Sequence, residues 1–140
     1  GWPGIDVIGF HTSYSLFLVI QHQDIEIQQK YLPLVKESFE EGKFIPGAYA
    51  IFLDRISMHE NHEQLYGTQT CYDYETQTTY ICPIANPDQL NLRMYELGLD
   101  SFEKAVLRSN EPWDVEEYKK NLPEHKAIYE RDLFKGQAEK

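Results

Sequence analysis

Residues 65–84 set the folding problem for this chain. Two runs rich in Thr and Tyr, at about 65–74 and 78–84, flank a short polar turn and read as a β-hairpin. The segments on either side carry helical spacing, so the hairpin must pack across helices. The predicted fold class is mainly α: a domain of about five to seven helices with one inserted β-hairpin at about 65–84. Pro83 weakens the end of the second run, because it has no N–H to give to a ladder.

The helical segments follow from apolar periodicity and from their ends. Val7, Phe10, Tyr14 and Phe17 recur at helical spacing and predict a helix from about Asp6 to Ile20. A second helix is expected from about Asp24 to Glu41, capped by Asp24, with Gln28, Leu32, Val35 and Phe39 inward. Pro33 should kink or divide it. Pro46 suits the first position of a third helix, which carries Ile51, Phe52, Ile56 and Met58 inward and ends at Asn61 and His62. Asn86-Pro87-Asp88-Gln89 reads as a capped start, and Asp114 with Glu117 as a capping box with Trp113 and Tyr118 as its staple. Pro123 is expected to break this last segment into two helices.

At 140 residues the length fits one domain, here taken as residues 1–135 with a frayed tail at 136–140. The formal charge of −10 repels phosphate backbones and anionic lipid surfaces, so neither a nucleic acid nor a membrane is an expected partner. The longest apolar run, residues 16–20, is far short of the roughly 20 residues a bilayer span needs.

Cys71 and Cys82 have no CxxC spacing. With the hairpin turning at Thr76-Gln77 they would face each other, and a cross-strand disulfide becomes geometrically open. Two reduced, half-buried thiols are the other reading. The location stays open in step: cytoplasmic, or periplasmic or secreted if the disulfide forms.

Three polar clusters could carry chemistry. In Gln21-His22-Gln23-Asp24, His22 can exchange a proton near neutral pH, and Asp24 could orient it or simply cap a helix. Asp54 and Arg55 are helical neighbours whose side chains diverge by about 100°, so one can face a pocket while the other pairs elsewhere. In the run Gln64-Leu65-Tyr66-Gly67-Thr68-Gln69, Gly67 allows a turn or a close approach, and Gln64, Tyr66, Thr68 and Gln69 offer polar contacts. His59-Glu60-Asn61-His62 is not the HExxH pattern and lacks an obvious third ligand, so no metal is assigned. No phosphate loop or GxSxG is present, and the sequence names no cofactor.

Taken in order, Gly1-Trp2-Pro3, Gln21-His22-Gln23-Asp24, Leu32-Pro33-Leu34, Asp54-Arg55 and Gln64-Leu65-Tyr66-Gly67-Thr68-Gln69 resemble the motifs GWP, QHxD, LPL, DR and QxYGTQ of an uncharacterised bacterial family, domain of unknown function 6624. The resemblance covers about residues 1–100. It implies that the polar clusters gather in space and that a helical segment precedes Gly1. The two Cys depart from the family pattern, and the resemblance brings no activity.

Two functions follow from these residues. One is a small-molecule or peptide-processing enzyme, hydrolase-like, with His22 as general base, Asp24 or Asp54 as its orienting carboxylate and Arg55 as substrate anchor. Gln64, Tyr66, Thr68 and Gln69 would then contact the substrate. The other is a non-catalytic binding or immunity-type interaction module in which the same groups form a structural network. The partner is a small molecule or a protein of unknown identity. Exposure separates the two readings: an enzyme needs His22 or Arg55 on an open cleft, and a structural network needs its polar atoms satisfied internally.

Overall fold

A computed structural model describes residues 2–107 and 112–138. The helices are α1 (Ile5–Ile8), α2 (Phe10–Gln21), α3 (Ile25–Glu40), α4 (Pro46–Asn61), α5 (Leu90–Glu96), α6 (Phe102–Leu107) and α7 (Val115–Ala138). Between α4 and α5 lies a two-stranded antiparallel hairpin, β1 (Thr70–Asp73) and β2 (Thr78–Ile81). The protein is mainly α, as its periodicity predicts.

Two apolar cores flank α4. On one side Phe17, Val35, Phe44 and Phe52 join α2, α3 and α4. On the other, Ala50, Tyr66, Ile84, Leu90, Met94, Phe102 and Tyr118 join α4, the hairpin region and the later helices. Because α4 serves both, it carries eight buried residues, among them Phe52, Ile56 and Met58.

The first helix departs from expectation. Gly9 has φ of +77°, a left-handed conformation that interrupts the helix and separates α1 from α2. Val7 and Phe10 consequently stay outside, at 72% and 50% exposure, and Phe17 and Ile20 supply the inward face. The two interior prolines break nothing: α3 continues through Pro33, and α7 runs unbroken through Pro123. Both prolines are exposed. The carbonyl each leaves without its helical donor is on the wet side, where water can replace the missing bond.

The hairpin is shorter than its Thr/Tyr-rich runs, and its register differs. Asp73 pairs with Thr78 and Cys71 with Tyr80, leaving a four-residue turn over 74–77. Asp73 fixes this turn: its carboxylate accepts Glu75 N–H at 3.0 Å and the Thr76 hydroxyl at 2.7 Å. Cys71 and Cys82 are therefore diagonal rather than opposite, yet their Cα atoms are 5.1 Å apart and they form a disulfide. α7 braces the hairpin through Arg131, which donates to Asp73 at 2.6 Å and reaches Glu75 at 2.8 Å.

Asp114 caps α7 as its sequence predicts, accepting Glu117 N–H at 2.9 Å, and Trp113 packs on Tyr118 with ring centres 4.9 Å apart. Asn86 does not cap with its side chain. It takes a left-handed conformation, φ +40°, and its carbonyl closes a 3-10 turn over Pro87–Gln89 that leads into α5.

Candidate functional site

The site is best built outward from Asp54. This residue lies on the inner face of α4 with no solvent exposure. Its Oδ1 accepts the backbone N–H of Leu65 at 2.7 Å and of Tyr66 at 2.9 Å. Its Oδ2 accepts Thr68 N–H at 2.9 Å and the Thr68 hydroxyl at 2.8 Å. Residues 65–68 thus curl their amides into an anion-binding nest, and the protein fills that nest with its own carboxylate. Burial raises the Asp54 carboxyl above its ordinary value, and the donors from Thr68, Leu65 and Tyr66 pull it back. Three of the four partners are N–H groups, which only donate, so the ionised carboxylate is the form this loop accommodates.

Gly67 makes the curl possible. Its φ is +71°, and a Cβ there would lie 2.5 Å from the Phe102 ring. Only glycine meets both demands.

Gln64, also fully buried, closes the base of the loop. Its amide nitrogen donates to the carbonyls of Gln69 at 2.9 Å and Cys82 at 2.8 Å, while its amide oxygen accepts Gln69 N–H at 2.8 Å. The side-chain amide behaves here as an extra peptide group, pairing with one residue as a neighbouring strand would. Its backbone bonds on both sides as well, to Pro83 O and from Ala85 N, each at 2.8 Å. The Gln69 amide donates to Thr68 Oγ1 at 2.9 Å.

Two residues central to this arrangement were not assigned to it from the sequence, although Tyr118 was read as part of the α7 staple. Arg93 of α5 donates to the carbonyls of Leu65 at 2.8 Å and Ala85 at 2.6 Å, tying the loop to the strand exit. Tyr118 of α7 donates to Cys82 O and accepts Ile84 N–H, both at 2.9 Å. The signal for Tyr118 is general, since a buried tyrosine hydroxyl needs a partner. Arg93 is a lone cation in an otherwise uncharged stretch of a short helix, and nothing local marks its targets.

The remaining predicted residues lie apart from this network. His22 is exposed and closes α2. Asp24 is exposed at the start of α3, where its backbone carbonyl, not its side chain, accepts the first amides. The turn between them is held by Gln28, whose amide donates to Gln21 O at 3.1 Å and Gln23 O at 2.8 Å. Arg55 is half-buried, and its Nε is buried with no hydrogen-bond partner among the described residues. Among the described residues, His22, Asp24 and Arg55 make no side-chain hydrogen bond or ion pair with the 64–69 loop. Nor do the described residues include any group of three or more His, Cys, Asp or Glu side chains placed to hold a metal ion. His62 instead ends α4 in a left-handed conformation and faces Tyr129, with ring centres 5.9 Å apart.

Beside the loop an open cleft of about 430 Å³ separates α4 from α6. Gly47, Ala50 and Ile51 form its α4 wall. Met94, Phe102 and Ala105 face them, and the loop contributes Tyr66, Gly67 and Thr68. Among the described residues lining it, none is charged. Tyr66 is only 9% exposed; its hydroxyl makes no hydrogen bond to another described residue, and its oxygen is not among the buried atoms left unpaired, so it keeps contact with solvent. Burial first, then the charge of Asp54, push this phenol above its ordinary value, so it keeps its proton at neutral pH.

Fold and site together define a mainly helical domain whose hairpin-entry loop is fastened by an internal carboxylate and borders a cleft with no charged residue among the described ones that line it. The chain belongs to the family of unknown function DUF6624, whose model matches residues 1–115. No curated protein and no solved structure matches it significantly. Among the described residues, no helix is long and apolar enough to cross a membrane.

Proposed function

We propose that the protein is a non-catalytic binding module, that the Asp54–Gln64 network is structural, and that the cleft between α4 and α6 is its ligand site. One observation carries this reading. The side chains of Asp54 and Gln64 are committed to the 64–69 loop and the Cys82 carbonyl, and the open space beside that loop is mainly apolar. Hydrolytic chemistry needs a base and a charge-stabilising donor beside the substrate. Here the anion nest is filled from within, and His22 and Arg55 form no bond to the loop. A cleft of this size falls within the roughly 300–1,000 Å³ of small-molecule sites, which are also mainly apolar. The Cys71–Cys82 disulfide suits work in an oxidising compartment.

Nile red, a neutral apolar dye, tests the assignment. The wild-type protein should enhance and blue-shift its emission saturably. Ala105→Trp, which fills the cleft from α6, should abolish the effect without unfolding the protein. Undiminished dye binding by a folded Ala105→Trp variant, or no binding by the wild type, contradicts the proposal. His22→Ala should bind as wild type does; loss of binding there would return the enzyme reading to favour.

A further inference from the structure

Resting on the cleft being the ligand site, we infer that its ligand is a neutral aromatic compound carrying a hydrogen-bond acceptor oxygen, which the Tyr66 hydroxyl engages. Three observations lead there. The first is an uncommitted polar group. Around the loop Thr68 Oγ1 donates to Asp54 and accepts from Gln69, Gln64 bonds through both ends of its amide, and Arg93 donates to backbone carbonyls. Tyr66 alone is more than nine-tenths buried, lines the cleft and keeps its hydroxyl without a partner among the described residues. Its oxygen is not among the buried polar atoms left without a partner, so it keeps contact with solvent, and a ligand oxygen entering the cleft can take the place of water there. Because this phenol stays protonated, it enters the bond as a donor.

The second observation concerns charge. No described lining residue could pair with an ionised ligand, and the protein as a whole carries −10. An anion would lose its hydration on entry and meet hydroxyls but no cation among the described lining residues, so it is disfavoured in this mainly apolar space. A cation would likewise find no carboxylate among the described lining residues.

The third is the character of the walls. Gly47, Ala50 and Ala105 keep side-chain bulk out of the space, while Phe102 and Met94 present an aromatic ring and a thioether. Aromatic rings pack favourably against both, through offset or edge contacts and through sulfur. Thr70 at the rim is exposed and adds a second hydroxyl for the polar edge of such a compound.

The experiment compares three probes of one shape: methyl naphthyl ketone, ethylnaphthalene and naphthoate. Binding is followed by calorimetry or by amide shifts. The wild type should bind the ketone about fivefold more tightly than the hydrocarbon, the worth of one neutral hydrogen bond. Naphthoate should bind at least tenfold more weakly than the ketone. In Tyr66→Phe the ratio of ketone to hydrocarbon affinity should fall to about one. Equal wild-type affinity for ketone and hydrocarbon overturns the acceptor-oxygen inference while leaving the cleft assignment standing. So does a preference that survives in Tyr66→Phe. Tight naphthoate binding overturns the neutral-ligand inference. Failure of every probe to bind removes the cleft assignment itself. Should Tyr66→Phe not fold, the wild-type ratio still decides the acceptor oxygen, and a ketone-specific shift of the Tyr66 signals decides whether its hydroxyl is the donor.

Discussion

Replacing Asp54 by Asn keeps the shape of the side chain and changes only its hydrogen-bonding pattern. The carboxylate accepts four bonds at 2.7–2.9 Å, two on each oxygen. A carboxamide can satisfy at most one of these pairs. In either orientation its NH2 group faces two donors: the Leu65 and Tyr66 amides, or the Thr68 amide and hydroxyl. In the second orientation the Thr68 hydroxyl can turn and accept, but the Thr68 N–H stays stranded. Bonds to a charged acceptor contribute about 1.5–3 kcal/mol each. Losing two gives about 3–6 kcal/mol, and release of a buried charge from its desolvation offsets part of this. We expect Asp54→Asn to lose about 3 kcal/mol, and Asp54→Ala, which strands all four donors, to lose more. Urea unfolding at neutral pH, followed by tryptophan fluorescence from Trp2 and Trp113, measures this directly. For a chain of 140 residues the predicted loss is a sizeable share of a stability that scales as roughly 0.05–0.15 kcal/mol per residue. A loss under about 1 kcal/mol would refute the structural role. A gain in stability would refute it more strongly, because carboxylates placed for catalysis at the expense of stability behave that way.

Three further outcomes follow from the same coordinates. The disulfide closes a short loop, with a sequence separation of 11, so the Cys71→Ala/Cys82→Ala double variant should lose about 3 kcal/mol by the chain-entropy relation; a thermal midpoint insensitive to reducing agent would contradict this. His125, whose buried Nδ1 has no partner among the described residues and which lies against Tyr80 and Tyr118, has its pKa lowered by burial. Its contribution to stability is therefore fully present above the unfolded value of about 6.5 and is lost as pH falls through the lowered folded value. His125→Phe should flatten that part of the stability–pH profile, and an unchanged profile would show that another group is responsible. His22→Ala, at an exposed helix end, should shift stability by no more than about 0.5 kcal/mol, as seen in urea unfolding.

Much of the fold was legible because it is local. Pro46 and Asn61 bound α4 where the sequence places them, and Asp114 caps α7 with the bond its spacing predicts. The failures have particular causes. Gly9 could have continued a helix, and only its left-handed backbone reveals the break. Pro33 and Pro123 carry an intrinsic penalty that exposure on the wet face relieves, and exposure is a tertiary property. The hairpin register turned on Asp73, whose bonds to Glu75 and Thr76 select a four-residue turn over a tighter one.

The polar residues were legible as a set but not in their roles. Asp54, Gln64, Tyr66, Thr68 and Gln69 do meet, because the loop folds its amides onto one carboxylate across eleven to fourteen residues of chain. Their chemical variety suggested a reacting centre. Which of them face inward decides between reaction and structure, and residue type does not encode that. Arg93 and Tyr118 reach carbonyls and an amide far along the chain, so no local pattern could have paired them.

The most direct test of the account is an amide-resolved titration of the folded protein with methyl naphthyl ketone. The account predicts that shifts concentrate at Ala50, Tyr66, Gly67, Met94 and Ala105, around the cleft, while His22, Asp24 and Arg55 stay silent. Saturable shifts centred on residues 22–24 and Arg55, with the cleft amides unmoved, would contradict it.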